Sequence, residues 1–350
     1  MQGAGAKPGA RVAVLGGGGF LGSHLVGALV EGEDLEVEAL DRSLEKLSLS
    51  SDRLRRTRAD ITRPGILEEV VEANEIIVST TAMCNPSQYN TCPVDVIEAN
   101  FNHLVPLAEL CSRSGRRLIH FSTCEVYGRM DESQQPLNEE TSPLILGPVA
   151  AERWSYACAK QLLERLIWAR GAHHGLEFTI IRPFNVIGPR MDYIPGVDGH
   201  GIPRVLACFM SSLMRGEPLE LVAGGQQRRS FISVDDFTLA VLRVLQSPES
   251  CNGEILNIGN PGNDVSIEQL AELMIEIYFN LTGERPKPPT KRVTAEDFYG
   301  PGYDDCPARI PDIEKARRLL DWEPGRSLDE MLPEIVSDYV ERYGKLVQGK

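Results

Sequence analysis

The chain has 350 residues, of which 42% are hydrophobic and 6% aromatic, enough to bury one large core or a larger domain with a smaller one attached. Its formal net charge of −14 argues against a nucleic-acid partner, since binding to a phosphate backbone depends on concentrated positive charge. The first residues lack the apolar stretch of a signal peptide, and no later segment approaches the roughly 20 apolar residues that span a bilayer. We therefore expect a cytoplasmic protein with neither a nucleic-acid nor a membrane partner.

Eight cysteines are scattered along the chain without a CxxC pair. This spacing fits reduced cytosolic thiols better than disulfides, and most of the thiols are expected to be small buried hydrophobes. Neither the cysteines nor the six histidines fall at the spacings of a structural zinc site. We predict that no metal is bound.

Residues 11 to 122 alternate short apolar runs with longer amphipathic stretches. The runs RVAVL, LEVEALD, EIIVST and RRLIHFS predict βαβ units and a parallel sheet. The basic run from Arg53 to Arg58 is interpreted as a solvated surface. A helix is predicted over 153 to 171, with an apolar stripe of Leu162, Leu163, Leu166 and Ile167, and the run FTIIRP at 178 to 183 continues the sheet.

From about residue 185 onward Gly and Pro become frequent, while helical patterns recur at 203 to 215, 234 to 246, 266 to 280 and 328 to 343. This composition predicts a smaller, loop-rich α/β lobe for binding substrate. We expect residues 1–185 to form mainly a cofactor-binding domain and residues 186–350 mainly the substrate lobe, although the chain can re-enter the first. The ligand is expected to lie between them.

A glycine-rich segment, Gly16 to Gly22, follows the first predicted strand and opens a helix. Its glycines allow a sharp turn and a close approach of a pyrophosphate to backbone N–H groups at a helix N-terminus. Asp41 closes the second strand, where an acidic side chain holds the adenosine ribose diol, so NAD is favoured over NADP. Arg42 beside it could pair with a 2′-phosphate, and a glycine-rich turn without a ligand is the other alternative.

Tyr156 and Lys160 are four residues apart, so a helix puts the phenol and the ammonium on one face. A nearby cation favours phenolate, and we expect it to lower the pKa of Tyr156 toward the working pH. Such a tyrosine can take a proton from a sugar hydroxyl while a hydride leaves its carbon for the nicotinamide. Thr123 would complete the site. The predicted cofactor-binding residues are Gly16, Gly19, Phe20, Leu21, Gly22, Asp41, Asp60, Ile61, Asn100, Tyr156 and Lys160.

The order of glycine loop, Asp41, Thr123 and the Tyr156/Lys160 pair resembles the extended short-chain dehydrogenase/reductase family over nearly the whole chain. The resemblance implies a Rossmann-type doubly wound sheet, NAD, a nucleotide-sugar substrate and a homodimer. The segments CNPSQYNTCP, HFSTCEVYG, RPFNVIGPRMD, GGQQRRSF and FYGPGYDDCPARIPD are most similar to the UDP-apiose/UDP-xylose synthases. The bacterial UDP-glucuronic acid decarboxylases come next.

Resemblance to the synthases implies NAD-dependent oxidation of UDP-glucuronic acid at C4, followed by loss of carbon dioxide. Oxidation puts the C6 carboxylate β to a ketone, so the electrons pass into an enolate without a metal. The 4-keto pentose is then reduced to UDP-xylose, or its ring contracts before reduction to UDP-apiose. The family assigns the ring contraction to a cysteine pair and a glutamate, which match Cys84, Cys124 and Glu125. Packing in the core is the alternative for the thiols, and a solvated charge for Glu125.

Arg309 matches the arginine that decarboxylating families place on the substrate carboxylate, and Asp305 lies in the same loop. A surface ion pair is the alternative for Arg309. Several arginines around one cleft would fit a diphosphate and a carboxylate. The predicted substrate-binding residues are Arg153, Arg182, Asn185, Arg190, Arg204, Arg228, Tyr303, Asp305 and Arg309.

Other functions use parts of the same constellation. A decarboxylase could stop at UDP-xylose or UDP-4-keto-pentose. A 5,6-dehydratase could employ Cys124 and Glu125 but needs no arginine for a carboxylate, and a 4,6-dehydratase typically has aspartate in place of Cys124. A non-catalytic NAD-binding regulator is disfavoured by the intact Thr123, Tyr156 and Lys160. The chain is also shorter than the plant synthases between Gly128 and Arg153, which leaves the product ratio open.

Overall fold

The structure is a computed structural model that describes residues 9–32, 34–283, 287–299 and 305–348. Its strands are β1 (Arg11–Leu15), β2 (Glu36–Asp41), β3 (Leu54–Arg58), β4 (Ile76–Ser79), β5 (Arg117–Phe121), β6 (Phe178–Pro183), β7 (Val186–Ile187), β8 (Leu219–Val222), β9 (Arg228–Ser230), β10 (Ile232–Ser233), β11 (Glu254–Ile258), β12 (Asp264–Ser266), β13 (Thr290–Val293) and β14 (Ala308–Arg309). Its α-helices are α1 (Phe20–Gly32), α2 (Ile66–Ala73), α3 (Pro86–Tyr89), α4 (Pro93–Asn100), α5 (Val105–Ser114), α6 (Ser155–His174), α7 (Val205–Arg215), α8 (Val234–Gln246), α9 (Pro248–Cys251), α10 (Ile267–Thr282), α11 (Ala295–Tyr299), α12 (Glu314–Leu320) and α13 (Leu328–Gln348).

Seven strands form the central sheet in the order β11-β6-β5-β4-β1-β2-β3, and every neighbouring pair is parallel. The strand order reverses between β1 and β4, because β2 and β3 extend the sheet in one direction and β5 and β6 in the other. In such sheets ligands bind at the carboxyl ends of the strands beside this reversal. The predicted Rossmann-type doubly wound fold is therefore confirmed.

Both faces of the sheet are buried, as near-continuous apolar strands require. Val12 and Val14 of β1 join a core that includes α1, α8, α10 and α13, while Ala13 and Leu15 join a core with α2, α5 and α6. This alternation follows from the two-residue period of a strand. No helix in the described ranges is both long and apolar enough to cross a membrane.

Several predicted elements have the expected bounds. β1 and β6 coincide with RVAVL and FTIIRP, and α8 with 234–246, whereas α6 begins at Ser155 after a 3-10 turn over Glu152–Trp154. The basic run contains β3, the edge strand of the sheet, whose Arg55 and Arg56 are exposed as a solvated surface requires. Leu162 departs from the predicted stripe, because 48% of it is exposed while Leu163 and Ile167 are buried.

Residues beyond 185 build small sheets over the carboxyl ends of the central strands. β7 pairs with β10, β8 with β13, and β9 lies between β12 and β14. Within the same part of the chain, β11 pairs with β6 and extends the central sheet. These short strands hold the loops that close the cleft.

Candidate active site

The glycine-rich turn between β1 and α1 leaves no room for side chains. Gly16 has a φ of 85°, a left-handed conformation that favours glycine. A Cβ on Gly18 would lie 1.7 Å from the backbone oxygen of Ser43, and one on Gly22 would lie 2.1 Å from that of Gly16. The turn therefore brings its backbone against neighbouring segments and directs the N-terminus of α1 at the cleft.

An outer groove of about 1100 Å³ begins at this turn. It is lined by Gly16, Gly19, Asp41, Asp60 and Ile61, all predicted to bind the cofactor. Asp41 ends β2 and accepts hydrogen bonds from the backbone N–H groups of Gly18, at 3.1 Å, and Ser43, at 3.3 Å. Both bonds orient its carboxylate at the groove, where an adenosine ribose would lie, so the residues fit NAD.

Other residues predicted to bind the cofactor lie behind the wall of the groove and do not line it. Phe20, Leu21 and Gly22 form the first turn of α1, with Phe20 and Gly22 buried. Asn100 is fully buried, and its side-chain amide donates to the backbone oxygen of Met83 at 2.9 Å and accepts from its N–H at 3.3 Å. Asn100 thus fixes the loop after β4, which lines the groove.

Tyr156 and Lys160 lie on the buried face of α6, next to the end of β5. The hydroxyl of Tyr156 hydrogen-bonds to the side chain of Thr123, and the ammonium of Lys160 donates to the backbone oxygen of Phe121 at 2.9 Å. The oxygen of Thr123 also accepts from the N–H of Glu125 at 3.1 Å, which caps the 3-10 turn over Cys124–Tyr127. The structure therefore brings the predicted oxidation site together.

The expected lowering of the pKa of Tyr156 is wrong. Burial raises the pKa of Tyr156 well above its usual value, and the nearby Cys84 and Glu125 act in the same direction. Burial also lowers the pKa of Lys160 to about 8. Desolvation therefore shifts both groups toward their neutral forms, although Lys160 is still an ammonium at pH 7.

An inner cavity continues from the groove toward residues 305–309, and a buried network of charges forms one of its walls. Glu125 pairs with Arg153 at 2.8 Å and with Arg309 at 3.6 Å. Asp305 pairs with Arg309 at 3.4 Å and with Arg229 at 2.5 Å. Burial opposes ionisation of both carboxyls, but the arginines outweigh it and hold the pKa values of Glu125 and Asp305 below their usual values.

The two predicted catalytic thiols have different surroundings. Cys84 lines both the groove and the inner cavity, where it faces the open cleft while protein encloses its other sides. Cys124 is buried and packs with Tyr127 and Phe184 in a small apolar cluster. Burial raises the pKa of Cys84, and it raises the pKa of Cys124 to about 11. Both groups are therefore protonated thiols at neutral pH.

The other predicted substrate residues divide between the cavity and the body of the protein. Asn185 and Arg204 line the inner cavity, and Arg204 is held by Asp192 through contacts of 2.9 and 3.0 Å. Arg182 is buried in a two-bond pair with Glu164 of α6, at 3.0 and 2.7 Å. Tyr303 lies outside the described residues.

Arg190 and Arg228 likewise face away from the inner cavity. Arg190 donates to the backbone oxygen of Lys46 at 2.6 Å and contacts His24 of α1. Arg228 pairs with Asp264 of the neighbouring strand β12. Their contacts with other parts of the protein give Arg182, Arg190 and Arg228 a structural role.

Two residues of the site were missed from the sequence, one that lines the inner cavity and one that is buried beside Tyr156. Arg229 lines the inner cavity in place of Arg228, because successive side chains of β9 point to opposite faces. Tyr89 stacks on Tyr156 with ring centroids 5.1 Å apart, and the guanidinium of Arg153 lies 5.3 Å from its ring centroid. The alternation of β9 implies that only one of Arg228 and Arg229 faces the cavity, without showing which, whereas Tyr89 carried no comparable signal.

The outer groove, the oxidation site at Tyr156 and the charged inner cavity lie next to one another on a doubly wound sheet. Together they define the site of a nucleotide-dependent oxidoreductase. In the described ranges, no three His, Cys, Asp or Glu side chains gather as a metal site would require. The sequence model of the NAD dependent epimerase/dehydratase family matches residues 12–259, so the chain belongs to that family of extended short-chain dehydrogenases/reductases. It is an NAD-dependent enzyme, as the sequence predicted.

Particular relatives share most of the chain. UDP-D-apiose/UDP-D-xylose synthase 1 from Arabidopsis thaliana is 44% identical over 361 residues, covering 96% of this chain and 93% of the relative. The UDP-D-apiose/UDP-D-xylose synthase from Oryza sativa subsp. japonica is 45% identical over 345 residues, covering 92% and 87%. Among solved structures, the PbgP3 protein from Burkholderia pseudomallei is similar with a TM-score of 0.83 and 32% identity, covering 97% of this chain and 98% of that one.

Proposed function

We propose that the enzyme oxidises UDP-glucuronic acid at C4, decarboxylates it, and converts the 4-keto pentose to UDP-apiose, UDP-xylose or both. Identity of 44% and 45% with plant synthases over almost the whole chain supports this substrate and these products. The reaction begins and ends with the same oxidation state of NAD.

The charge of the inner cavity carries the proposal. Among the described residues, the network sets three arginines (Arg153, Arg229 and Arg309) against two carboxylates (Glu125 and Asp305). Both carboxyls are ionised at neutral pH because their pKa values are lowered. One positive charge therefore remains, which favours an anionic group of the substrate in this cavity, as the sugar carboxylate would be.

Oxidation would depend on the pair of hydroxyl groups at the end of β5. Bound NAD supplies the acceptor for the hydride of C4 and returns that hydride in the final reduction. Tyr156 takes the proton of the C4 hydroxyl while Thr123 hydrogen-bonds the same oxygen. Because burial alone keeps Tyr156 protonated, deprotonation requires positive charge beside it, which Lys160 supplies when it is an ammonium.

Decarboxylation would depend on the charged wall. Arg309 binds the C6 carboxylate, and the bond between C5 and C6 breaks as its electrons move toward the C4 oxygen. Glu125 stays ionised between Arg153 and Arg309, so it acts as a proton acceptor or positions water rather than serving as an acid. For ring contraction, Cys84 is the thiol at the cavity surface, and Cys124 supports it from the apolar cluster behind.

The proposal includes the assembly and location of the protein. Exposed apolar side chains on α4 and α6 support a homodimer, and eight free cysteines support a reducing cytoplasmic location. The remaining residues of the outer groove, among them Asp41 and Asp60, are proposed to bind the adenosine half of NAD.

Incubation of the purified enzyme with UDP-glucuronic acid and NAD tests the proposal. Release of carbon dioxide is followed with time, and the sugar products are identified and quantified by NMR. We expect carbon dioxide together with UDP-apiose or its cyclic phosphate, and UDP-xylose. UDP-glucose serves as the matched substrate without a carboxylate, and Arg309→Ala as the matched variant, which we expect to lose at least about a hundredfold in activity.

The alternatives give different products. UDP-xylose or a 4-keto pentose alone would reduce the function to a decarboxylase and leave the thiols with packing roles. Turnover of UDP-glucose in place of UDP-glucuronic acid would overturn the substrate assignment.

A further inference from the structure

Cys306 lies directly behind Arg309 and is buried to 1% exposure. The Nε of Arg309 donates a hydrogen bond to its sulfur at 3.0 Å. The main chain of the same residue contacts the rest of the network, because its N–H donates to Asp305 at 2.9 Å and its carbonyl oxygen accepts from Arg229 at 3.1 Å. Cys306 therefore joins two arginines of the cavity wall.

The contacts of Arg309 differ in length. Its Nη1 lies 3.6 Å from Glu125 and its Nη2 lies 3.4 Å from Asp305, both longer than an ordinary charge-assisted hydrogen bond. Only the contact of Nε with the sulfur of Cys306 is short among those that the described residues make with this guanidinium. Because the guanidinium is planar and rigid, fixing Nε also fixes the directions of both Nη groups.

A thiol is chemically suited to accept the hydrogen bond from the Nε of Arg309. A carboxylate at the same position would orient the guanidinium, but it would also cancel the positive charge that the cavity retains. A thiol is a weak acceptor that adds no formal charge. An apolar side chain would leave the Nε–H buried without an acceptor, which is costly for a charged group.

We infer that Cys306 is a positioning residue, whose sulfur orients Arg309 so that its Nη groups face the substrate carboxylate in the inner cavity. This role rests on the proposed function, in which Arg309 binds that carboxylate. It predicts that substitution of Cys306 weakens binding of a sugar acid more than binding of the corresponding sugar without the carboxylate.

A measurement without substrate tests the contact itself. NMR of the arginine Nε–H groups in the NAD-bound enzyme is expected to show a slowly exchanging signal that Arg309→Lys removes. Cys306→Ala should accelerate its exchange by at least about tenfold, since the buried donor loses its acceptor. Cys306→Ser, which keeps an acceptor, should retain part of the protection. An unchanged exchange rate in Cys306→Ala would overturn the inference whether or not the enzyme uses UDP-glucuronic acid.

Calorimetric titration of the same NAD-bound variants, each with Tyr156→Phe added so that the ligand is not turned over, tests the consequence. Cys306→Ala should raise the Kd for UDP-glucuronic acid about tenfold, the factor that corresponds to loss of one well-oriented charged contact, and the Kd for UDP-xylose less than about twofold. Cys306→Ser should fall between wild type and Cys306→Ala. The matched control is Cys111→Ala, which truncates a fully buried thiol in the core with α2, α5 and α6. It should lower the melting temperature and leave both Kd values unchanged.

Outcomes separate the two hypotheses. Equal weakening of both ligands by Cys306→Ala would reduce Cys306 to a structural role and overturn the inference. If the wild-type enzyme does not turn over UDP-glucuronic acid, the proposed function fails, and the exchange measurement still decides whether Cys306 orients Arg309.

Discussion

Desolvation of the thiols determines what Cys84 and Cys124 can do, because it raises the pKa values of both and keeps them protonated at neutral pH. A protonated thiol can donate a proton to a sugar carbon or oxygen, but it is a poor nucleophile. Cys84 faces the cavity, so we expect Cys84→Ser to lower the rate of UDP-apiose formation about a hundredfold, as for loss of general acid catalysis. Release of carbon dioxide should fall by less than about tenfold, since Arg309 and Glu125 remain.

The ratio of UDP-apiose to UDP-xylose, measured by NMR, checks this prediction. Cys208→Ser is a matched control. Cys208 also lines the inner cavity, but its thiol donates a hydrogen bond to the backbone oxygen of Pro203. An unchanged product ratio in Cys84→Ser would assign the thiol to packing.

The lowered pKa of Lys160 leads us to expect that the free energy of unfolding depends on pH in an unusual way. Burial lowers its pKa from 10.5 to about 8, so the folded NAD-free protein bears the cost of a buried ammonium at pH 7. At about 1.4 kcal/mol for each pKa unit, that cost is about 3 kcal/mol. Between pH 8 and 10.5 the unfolded chain binds more protons at this site than the folded one, so the site's contribution to stability rises with pH and is complete above the unfolded pKa.

Lys160→Met removes the ammonium and should abolish turnover. We expect it to raise the free energy of unfolding by about 1 to 2 kcal/mol at pH 7, because the lost bond to the oxygen of Phe121 offsets part of the gain. The advantage should shrink as the pH rises from 8 to 10.5. Urea unfolding at pH 7 and pH 10 measures the difference, with the exposed Lys345→Met as control. A variant less stable than wild type at pH 7 would contradict the prediction.

At the scale of elements, the turn between β1 and α1 depends on backbone approach more than on any side chain. Gly18→Ala would place a Cβ 1.7 Å from the backbone oxygen of Ser43, so the turn and the loop after β2 must separate. Because Asp41 accepts from the N–H of Gly18, this separation also displaces the carboxylate at the ribose position. We expect at least about a hundredfold weaker NAD binding, equal to two lost contacts of about 1.4 kcal/mol each.

Fluorescence titration with NADH measures this effect. The matched variant is Gly27→Ala in the same helix α1, where an added Cβ meets no atom within 4 Å. Gly27→Ala should retain NADH affinity and gain about 0.5 to 1 kcal/mol of stability, because alanine is the better helix former. Equal affinities for the two variants would refute the steric argument.

The same scale explains what the sequence predicted well. Apolar runs such as RVAVL and FTIIRP are buried on both faces, so their length alone gave the bounds of β1 and β6. Arg228 was predicted to bind substrate but lies outside the lining of the inner cavity, because the register of β9 with β12 decides which face a side chain takes and GGQQRRSF does not reveal that register. Arg182 also lies outside that lining, because it pairs with Glu164 of α6, a contact that depends on how helix and sheet pack.

At the scale of the whole molecule, the charged wall could not be derived from local sequence. Glu125 follows β5, Arg153 precedes α6, Arg229 is in β9 and Arg309 in β14. The sequence supplied each motif, and resemblance to the family assigned a role to most of them. Their mutual distances, and the excess of one positive charge, exist only after the small sheets close over the central one. The shift of Tyr156 to a raised pKa has the same origin, since burial is a property of the folded molecule.

The proposed homodimer can be tested by substitutions on α4 and α6, two helices that pack on each other. They carry Ile97, which is 40% exposed, and Leu162, which is 48% exposed. Burial of such side chains against a second copy would stabilise a dimer by about 25 cal/mol for each Å² removed from water. A charge at either position would have to be desolvated in that interface, so we expect Ile97→Glu and Leu162→Glu to convert the proposed dimer to a monomer at micromolar concentration.

Analytical ultracentrifugation of wild type and variants checks this expectation. Leu239→Glu is the matched control, because Leu239 is 43% exposed on α8, which packs on the opposite face of the sheet. If the proposed interface is correct, Leu239→Glu sediments with the wild type while the other two variants sediment as monomers. The active site lies on the other side of α6 from Leu162, since Tyr156 and Lys160 are buried against β5. Dissociation should therefore lower activity chiefly by loosening α6, and added NAD should restore part of it by binding the folded conformation.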